Sequence, residues 1–222
     1  MPDKTTGLVI TTYNRPDYVE RCFASLQQSN LQNTVVVIVD DASSDKATLE
    51  LIKQFTLPEV NQLIKLTRQN KYGFQVHESL KLGWDLLHYT YQVDYLCNLD
   101  SDAIVKSHWL ETLQITYMQQ QPYYNNFLLT GFNTLNHPIR KEHQDIYVKE
   151  SFGGINTFFA AGNFYRNTIR PCLVDTIWDW QVVHTMAAYD YPILCTKPSV
   201  VQHIGKTGEN STLEKYDFAA DF

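Results

Sequence analysis

Hydrophobic positions along the first hundred residues alternate between two rhythms. "GLVITTYN", starting at Gly7, is a short β-branched run that stops at a polar turn. "RPDYVERCFASLQQ" then sets Val19, Cys22, Phe23 and Leu26 at the i, i+3, i+4, i+7 spacing of one helix face, with Pro16 suited to the first turn. "TVVVIVDD" is continuously apolar, as in a strand covered on both faces. "SSDKATLELIKQF" follows with a serine cap and Thr48, Leu51, Ile52 and Phe55 on one side. A third strand in "NQLIKLT", a long helix in "FQVHESLKLGWDLLHYT" and a fourth strand in "DYLCNL" continue the series. Strands alternating with helices predict a parallel sheet with right-handed crossovers, whose ligands bind beyond the carboxyl ends of the strands.

After the helix "HWLETLQITYMQQ" the rhythm changes to strand-like "NFLLTGFN", "DIYVKE" and "NTFFAAGNFYR", a helix from Trp178 to Tyr189, then "YPILCT" and "SVVQHIG". No linker, repeat or low-complexity tract separates the halves, so the second half reads as a mixed extension of the same sheet. "HPIRKEHQD" reads as a solvated loop, and "KTGENSTLEKYDFAADF" as a mobile flap or frayed end. The expected organisation is one domain over 1–222, with a ligand-binding half over about 1–115 and a second half with its flap over about 116–222. The expected fold class is α/β, a Rossmann-like parallel-core mixed sheet flanked by helices.

Polar clusters fall where such a sheet binds ligands. Thr11 to Arg15 follow the first strand, Asp40 and Asp41 the second, Gln69 to Gly73 the third, and Asp100 and Asp102 the fourth. Two carboxylates two residues apart disfavour each other's ionisation unless a cation joins them. An Asp-x-Asp at a strand end suits a magnesium or manganese ion held by one or two carboxylates, with phosphates and water completing its shell. The same tripeptide also serves in turns and helix caps. His203, ending an apolar strand ahead of Gly205, is an acceptable further ligand, or a structural histidine. His77 reads as a packing residue, and no chemistry is assigned to His137, His143 or His184.

Composition narrows the class. A formal charge of −6 and a sequence pI near 5.6 argue against a nucleic-acid binder. The four cysteines have no paired spacing, and the N-terminus lacks a leader's charged and then apolar regions, so a cytoplasmic protein without disulfides is expected. No apolar run reaches the roughly 20 residues that span a bilayer, and any membrane contact would be peripheral.

"VITTYNRP", "VVVIVDDASSD", "RQNKYGF" and "YLCNLDSDAIV", in that order and spacing, resemble the nucleotide-binding half of family 2 glycosyltransferases with the GT-A fold. The resemblance implies a hexosyltransferase-like enzyme that moves a sugar from a UDP-sugar to a hydroxyl of a glycan or lipid-linked glycan, with Mn²⁺ or Mg²⁺ as cofactor. It places Thr11, Tyr13 and Arg15 around the nucleoside, Asp40 and Asp41 on uracil or ribose, and Asn70, Gly73 and Ser101 among the donor contacts. Asp100 and Asp102 become the family's DxD motif, with Asp102 on the metal, Asp100 supporting metal and donor, and His203 closing the metal shell. Asp179, in "TIWDWQVVH", is similar to the acidic base of the inverting members, with Trp178 and Trp180 as a sugar-stacking surface and Gly153 and Gly154 allowing close approach of an acceptor. The chain departs from the family pattern after the third strand, where His77 and Ser79 stand in place of smaller or amide residues. A metal-dependent phosphohydrolase and a noncatalytic nucleotide-sugar or glycan-binding module are the alternatives.

Overall fold

β1 (Thr6–Thr12) and β2 (Thr34–Asp40) bury every residue, so the sheet they begin must be covered on both faces. The computed structural model describes residues 4–69, 75–206 and 216–222. Strand alternation divides the core accordingly. Leu8, Ile10, Val36 and Ile38 face one cluster with Phe23, Leu26, Trp109 and Leu113. Val9, Val35, Val37 and Val39 face another with Leu80, Trp84, Trp178 and Val182.

The covering elements are those the periodicity predicts. α1 (Pro16–Gln27), α2 (Lys46–Gln54) and α4 (Trp109–Gln120) lie on the first face, and α3 (Val76–Asp85) and α5 (Trp178–Ala188) on the second. The long helix expected up to Thr90 changes to a π-helical turn over Leu86–Thr90. The expected serine cap of α2 is corrected: Asp45 caps it, accepting from Thr48 N at 2.7 Å, while Ser43 bonds to Asp40. A carboxylate one residue nearer the helix meets the N-terminal N–H groups that a serine farther back cannot reach.

The remaining strands are β3 (Gln62–Thr67), β4 (Tyr95–Asp100), β5 (Ala103–Val105), β6 (Leu128–Thr130), β7 (Ile139–Glu142), β8 (Ile146–Lys149), β9 (Asn156–Ala160), β10 (Ile193–Thr196) and β11 (Val201–His203). Seven of these join β1 and β2 in one nine-stranded sheet, in the order β3-β2-β1-β4-β9-β6-β10-β8-β7. β3, β2, β1 and β4 are parallel, and β9 and β8 run antiparallel to their neighbours, which makes the second half the expected mixed extension. "HPIRKEHQD", expected as a loop, contributes β7, an exposed edge strand. Its charged residues hide the strand from a pattern reading while suiting an unpaired edge. β5 and β11 pair apart as a small antiparallel ribbon. All four cysteines are buried and free, and no described helix is long and apolar enough to cross a membrane.

One ion pair ties the second face together. Asp85 at the end of α3 accepts from Arg170 Nε at 2.8 Å, Arg170 Nη2 at 2.9 Å and the Tyr165 hydroxyl at 2.7 Å. Partial burial works to raise its pKa, but the Arg170 and Tyr165 hydrogen bonds outweigh it and hold the carboxyl below its ordinary value. A depressed folded-state pKa gives stability that is complete above the unfolded value near 3.9 and is lost as pH falls through the folded value. Asp85→Asn is therefore expected to lower stability by about 1 kcal/mol at neutral pH. Urea titrations should show the gap from wild type closing in acid.

Candidate active site

Strand register brings the predicted polar clusters to one end of the sheet. Thr12 lies beside Asp40, Asp40 beside Thr67, and Thr11 beside Asp100. Tyr13 and Ser101 are half-buried on the same rim, where Ser101 N donates to Thr11 O and carries the pairing one step past β4. Asn70 and Gly73 lie outside the described residues.

Asp40 and Asp41 are fully buried, and both carboxylates are engaged within the protein. Asp40 accepts from the Thr12 hydroxyl at 3.2 Å and from Ser43 N at 3.0 Å and Oγ at 2.5 Å, bonds that shape the loop after β2. Asp41 accepts from Arg68 Nη1 and from Gln75 N, each at 2.6 Å. Two residues of this arrangement escaped the sequence reading. Arg68 neutralises Asp41, and Asn14 joins two strand ends by donating its N–H to Ser43 Oγ and accepting from Ser44 N and Asp45 N. Asn14 lies inside "VITTYNRP", between Tyr13 and Arg15, and Arg68 begins "RQNKYGF", so both sit within segments that carry the family resemblance.

The paired carboxylates resolve their repulsion asymmetrically. Asn14 and Arg15 both adopt left-handed backbone, with φ 51° and 64°, a conformation that non-glycine residues adopt at a cost and that clusters at functional sites. The turn aims the Arg15 guanidinium at Asp102, with Nη1 2.9 Å from Oδ2 and the plane 4.5 Å over the Tyr18 ring. β11 supplies the second partner: His203 lies opposite Ala103 in the β5–β11 ribbon, Ile204 N donates to Asp102 O at 2.8 Å, and His203 Nε2 stands 3.3 Å from Asp102 Oδ2.

Burial works to raise the Asp102 pKa, but the His203 hydrogen bond and the charges of His203 and Arg15 outweigh it and hold the carboxyl down. The reciprocal effect raises His203 against its own burial. Asp100 goes the other way. Burial first, then the Asp102 charge, push it up to about 8, against a hydrogen bond from the Thr11 hydroxyl at 3.1 Å. One carboxyl keeps the charge and its neighbour tends to the neutral form.

Asp102 and His203 put a hard oxygen and an imidazole nitrogen on one spot. That donor set fits a Mn²⁺ or Mg²⁺ ion with two protein ligands, whose remaining positions go to phosphate oxygens and water. Asp100 turns to Thr11, and among the described residues no three carboxylate, imidazole or thiol groups converge as a metal cage. Gly205 closes the corner. A Cβ there would fall on Asp102 Oδ2 and stand 2.6 Å from His203 Nε2 and 2.9 Å from Arg15 Nη2, so any side chain would fill the space between donors.

The second half brings Asp179 to the same place. It lies in the first turn of α5, accepts from Trp180 N at 2.9 Å, and is near enough to Asp100 for its charge to raise that group further. Its own pKa is raised by burial, only partly offset by backbone N–H groups including those of Trp180 and Gly154. The flanking tryptophans, expected together as a stacking surface, divide. Trp180 exposes 45% of its surface, whereas Trp178 exposes 3% and packs edge-on against Trp84 and Phe152. Helix positions two apart point about 200° from each other, so one indole turns inward and the other to solvent. Gly154 serves that packing, since a Cβ on it would stand 2.9 Å from the Trp178 ring. Its carbonyl accepts from Asn98 Nδ2 at 2.8 Å, tying the segment before β9 to β4. Gly153 lies against His137, which bonds to Ser151 Oγ at 2.8 Å. His77 is buried, as expected of a packing residue.

A parallel β-α-β core with acidic strand ends, joined to a mixed extension that carries a further carboxylate, defines the GT-A-like class of α/β fold. S. aureus TarS (residues 1–349) shares it, with a TM-score of 0.60 at 15% identity over 89% of this chain and 59% of that one. Its complex with UDP-GlcNAc matches at a TM-score of 0.59 and 16% identity over 92% and 60% of the respective chains. The sequence profile of glycosyl transferase family 2 matches residues 8–164, and the chain belongs to that family. An uncharacterized glycosyltransferase of Haemophilus influenzae is 20% identical over 73% of this chain and 44% of its own length. Glycosyltransferase GlyG of Streptococcus pneumoniae is 28% identical over 52% of this chain and 35% of its own. The chain thus spans less than half the length of these curated relatives.

Proposed function

We propose that the protein transfers a sugar from a UDP-sugar to a hydroxyl of a glycan or lipid-linked glycan, with a divalent cation and with inversion at the anomeric carbon. The observation that supports this reading is the pairing of Asp102 with His203 beside Asp100 at the strand ends, with Asp179 from the second half near enough for its charge to act on Asp100. Family membership supports glycosyl transfer, and the UDP and UDP-GlcNAc complexes of TarS support the choice of donor.

Asp102 and His203 would hold the cation, which when bound stabilises the charge growing on the departing diphosphate. Arg15 lies at the same carboxylate and adds positive charge beside the phosphates. Tyr13 and Ser101 border the space for the nucleoside, while the buried Asp40 and Asp41, with Asn14 and Arg68, set the loop geometry behind it rather than touching the base. Asp179 takes the proton from the acceptor hydroxyl as its oxygen bonds to the anomeric carbon and the bond from that carbon to the diphosphate oxygen breaks. The burial that raises the Asp179 pKa makes it a stronger base than an exposed carboxylate. Trp180 offers the open ring on which an acceptor sugar can stack.

Calorimetry with UDP-, GDP- and dTDP-sugars in the presence of Mn²⁺, followed by product stereochemistry by NMR, tests the proposal. UDP-sugars are expected to bind best and the product to have inverted configuration. Binding without glycoside formation would favour a noncatalytic module. Free phosphate released from a phosphoester would favour a hydrolase.

A further inference from the structure

Residues 216–222, within the segment expected as a mobile flap or frayed end, are docked, and their contacts centre on His203. His203 Nδ1 lies 2.8 Å from the Asp217 carbonyl oxygen, and the Tyr216 hydroxyl donates to the His203 carbonyl. The two rings stand 5.6 Å apart. The segment is itself fastened at several points. The Thr134 hydroxyl donates to the Asp217 carboxylate, Ala219 forms an antiparallel bridge with Thr134, and Ala220 N donates to Asn133 O at 2.8 Å. Ala219 N donates to Gln202 Oε1 at 2.8 Å, and Asp221 accepts from Ser199 N at 3.2 Å. The strap thus engages β11 and the turn after β6 together.

A carbonyl oxygen can only accept, so Nδ1 of the neutral imidazole must carry the hydrogen and Nε2 must present its lone pair. That lone pair points at another acceptor, Asp102 Oδ2, at 3.3 Å. A proton on Nε2, which makes the imidazolium that donates to Asp102, or a bound cation in its place resolves that contact. The common solvent-exposed preference of neutral imidazole is the opposite tautomer, so the strap works against it.

We propose that the strap Tyr216–Phe222 is the positioning element of the metal corner: the Asp217 carbonyl fixes the His203 tautomer, and Tyr216 with the Asp217 carboxylate fixes the strap, so that Nε2 is presented to a cation beside Asp102. This rests on the reading that Asp102 and His203 hold a divalent ion. Tyr216 and Asp217 are positioning residues, acting only through His203. Outer partners that orient a ligating histidine typically contribute about 10- to 100-fold to metal affinity.

The test has two readouts on the full chain. Ring ¹⁵N shifts of His203, measured without metal at alkaline pH where the imidazole is neutral, report the tautomer. Paramagnetic resonance of free Mn²⁺ reports affinity without any turnover. The wild type is expected to hold the Nδ1–H form. Tyr216→Phe with Asp217→Ala should shift it toward Nε2–H and weaken Mn²⁺ about 10-fold, while Asp217→Asn, whose amide oxygen still accepts from Thr134, should retain both properties. His203→Ala separates the two ideas. If it leaves Mn²⁺ affinity unchanged, the cation reading fails, while the tautomer readout still decides what the strap does. If it weakens Mn²⁺ but the double variant keeps both tautomer and affinity, the strap proposal is overturned.

Discussion

Asp102→Ala is expected to reduce glycosyl transfer by about 10³-fold or more, the scale of losing a group that organises charge stabilisation at a leaving group. The carboxylate collects Arg15 and His203 on one oxygen and is the member of its pair that retains its charge. Its loss removes the oxygen donor of the proposed cation site and leaves the Arg15 guanidinium without that partner. The global fold should survive, because both core clusters lie on the faces of the sheet and exclude Asp102. Steady-state kinetics at varied Mn²⁺, paired with circular dichroism melts, makes the measurement. Full turnover in a folded variant would remove Asp102 from the mechanism.

Asp179→Asn should separate binding from chemistry. The amide keeps the shape of the side chain and can still accept from Trp180 N, but it cannot take a proton. General-base catalysis is worth about 10²- to 10⁴-fold, so kcat should fall by that amount while calorimetric affinity for UDP stays at the wild-type level. An unchanged kcat would assign proton removal to another group. A large loss of UDP affinity would instead mean that Asp179 works through its charge on Asp100.

The elements of the first half were readable because each strand is a contiguous apolar run and each helix has a contiguous periodic face. Such local patterns need no knowledge of the partner they pack against. The strand-end position of Asp40, Asp41, Asp100 and Asp102 followed from that order alone. What escaped depends on contacts between distant positions. Nothing near Arg68 in the sequence says that its guanidinium will meet Asp41. Trp178 and Trp180 look equivalent until the helix is laid against Trp84. The segment over 216–222 has weak periodicity because it is held by single hydrogen bonds to Thr134, Asn133, Gln202 and Ser199 and buries little apolar surface of its own. β7 was missed for a related reason: an edge strand with exposed charges carries no alternation to detect.

The β5–β11 ribbon also bears on how the molecule is made. It joins Asp102 to a histidine 101 positions away, and contacts between remote positions close late because the intervening chain must first be ordered. During synthesis the leading half can assemble its four parallel strands while the imidazole has yet to emerge. The Asp102–His203 corner therefore closes only after the segment that carries β11 has been made.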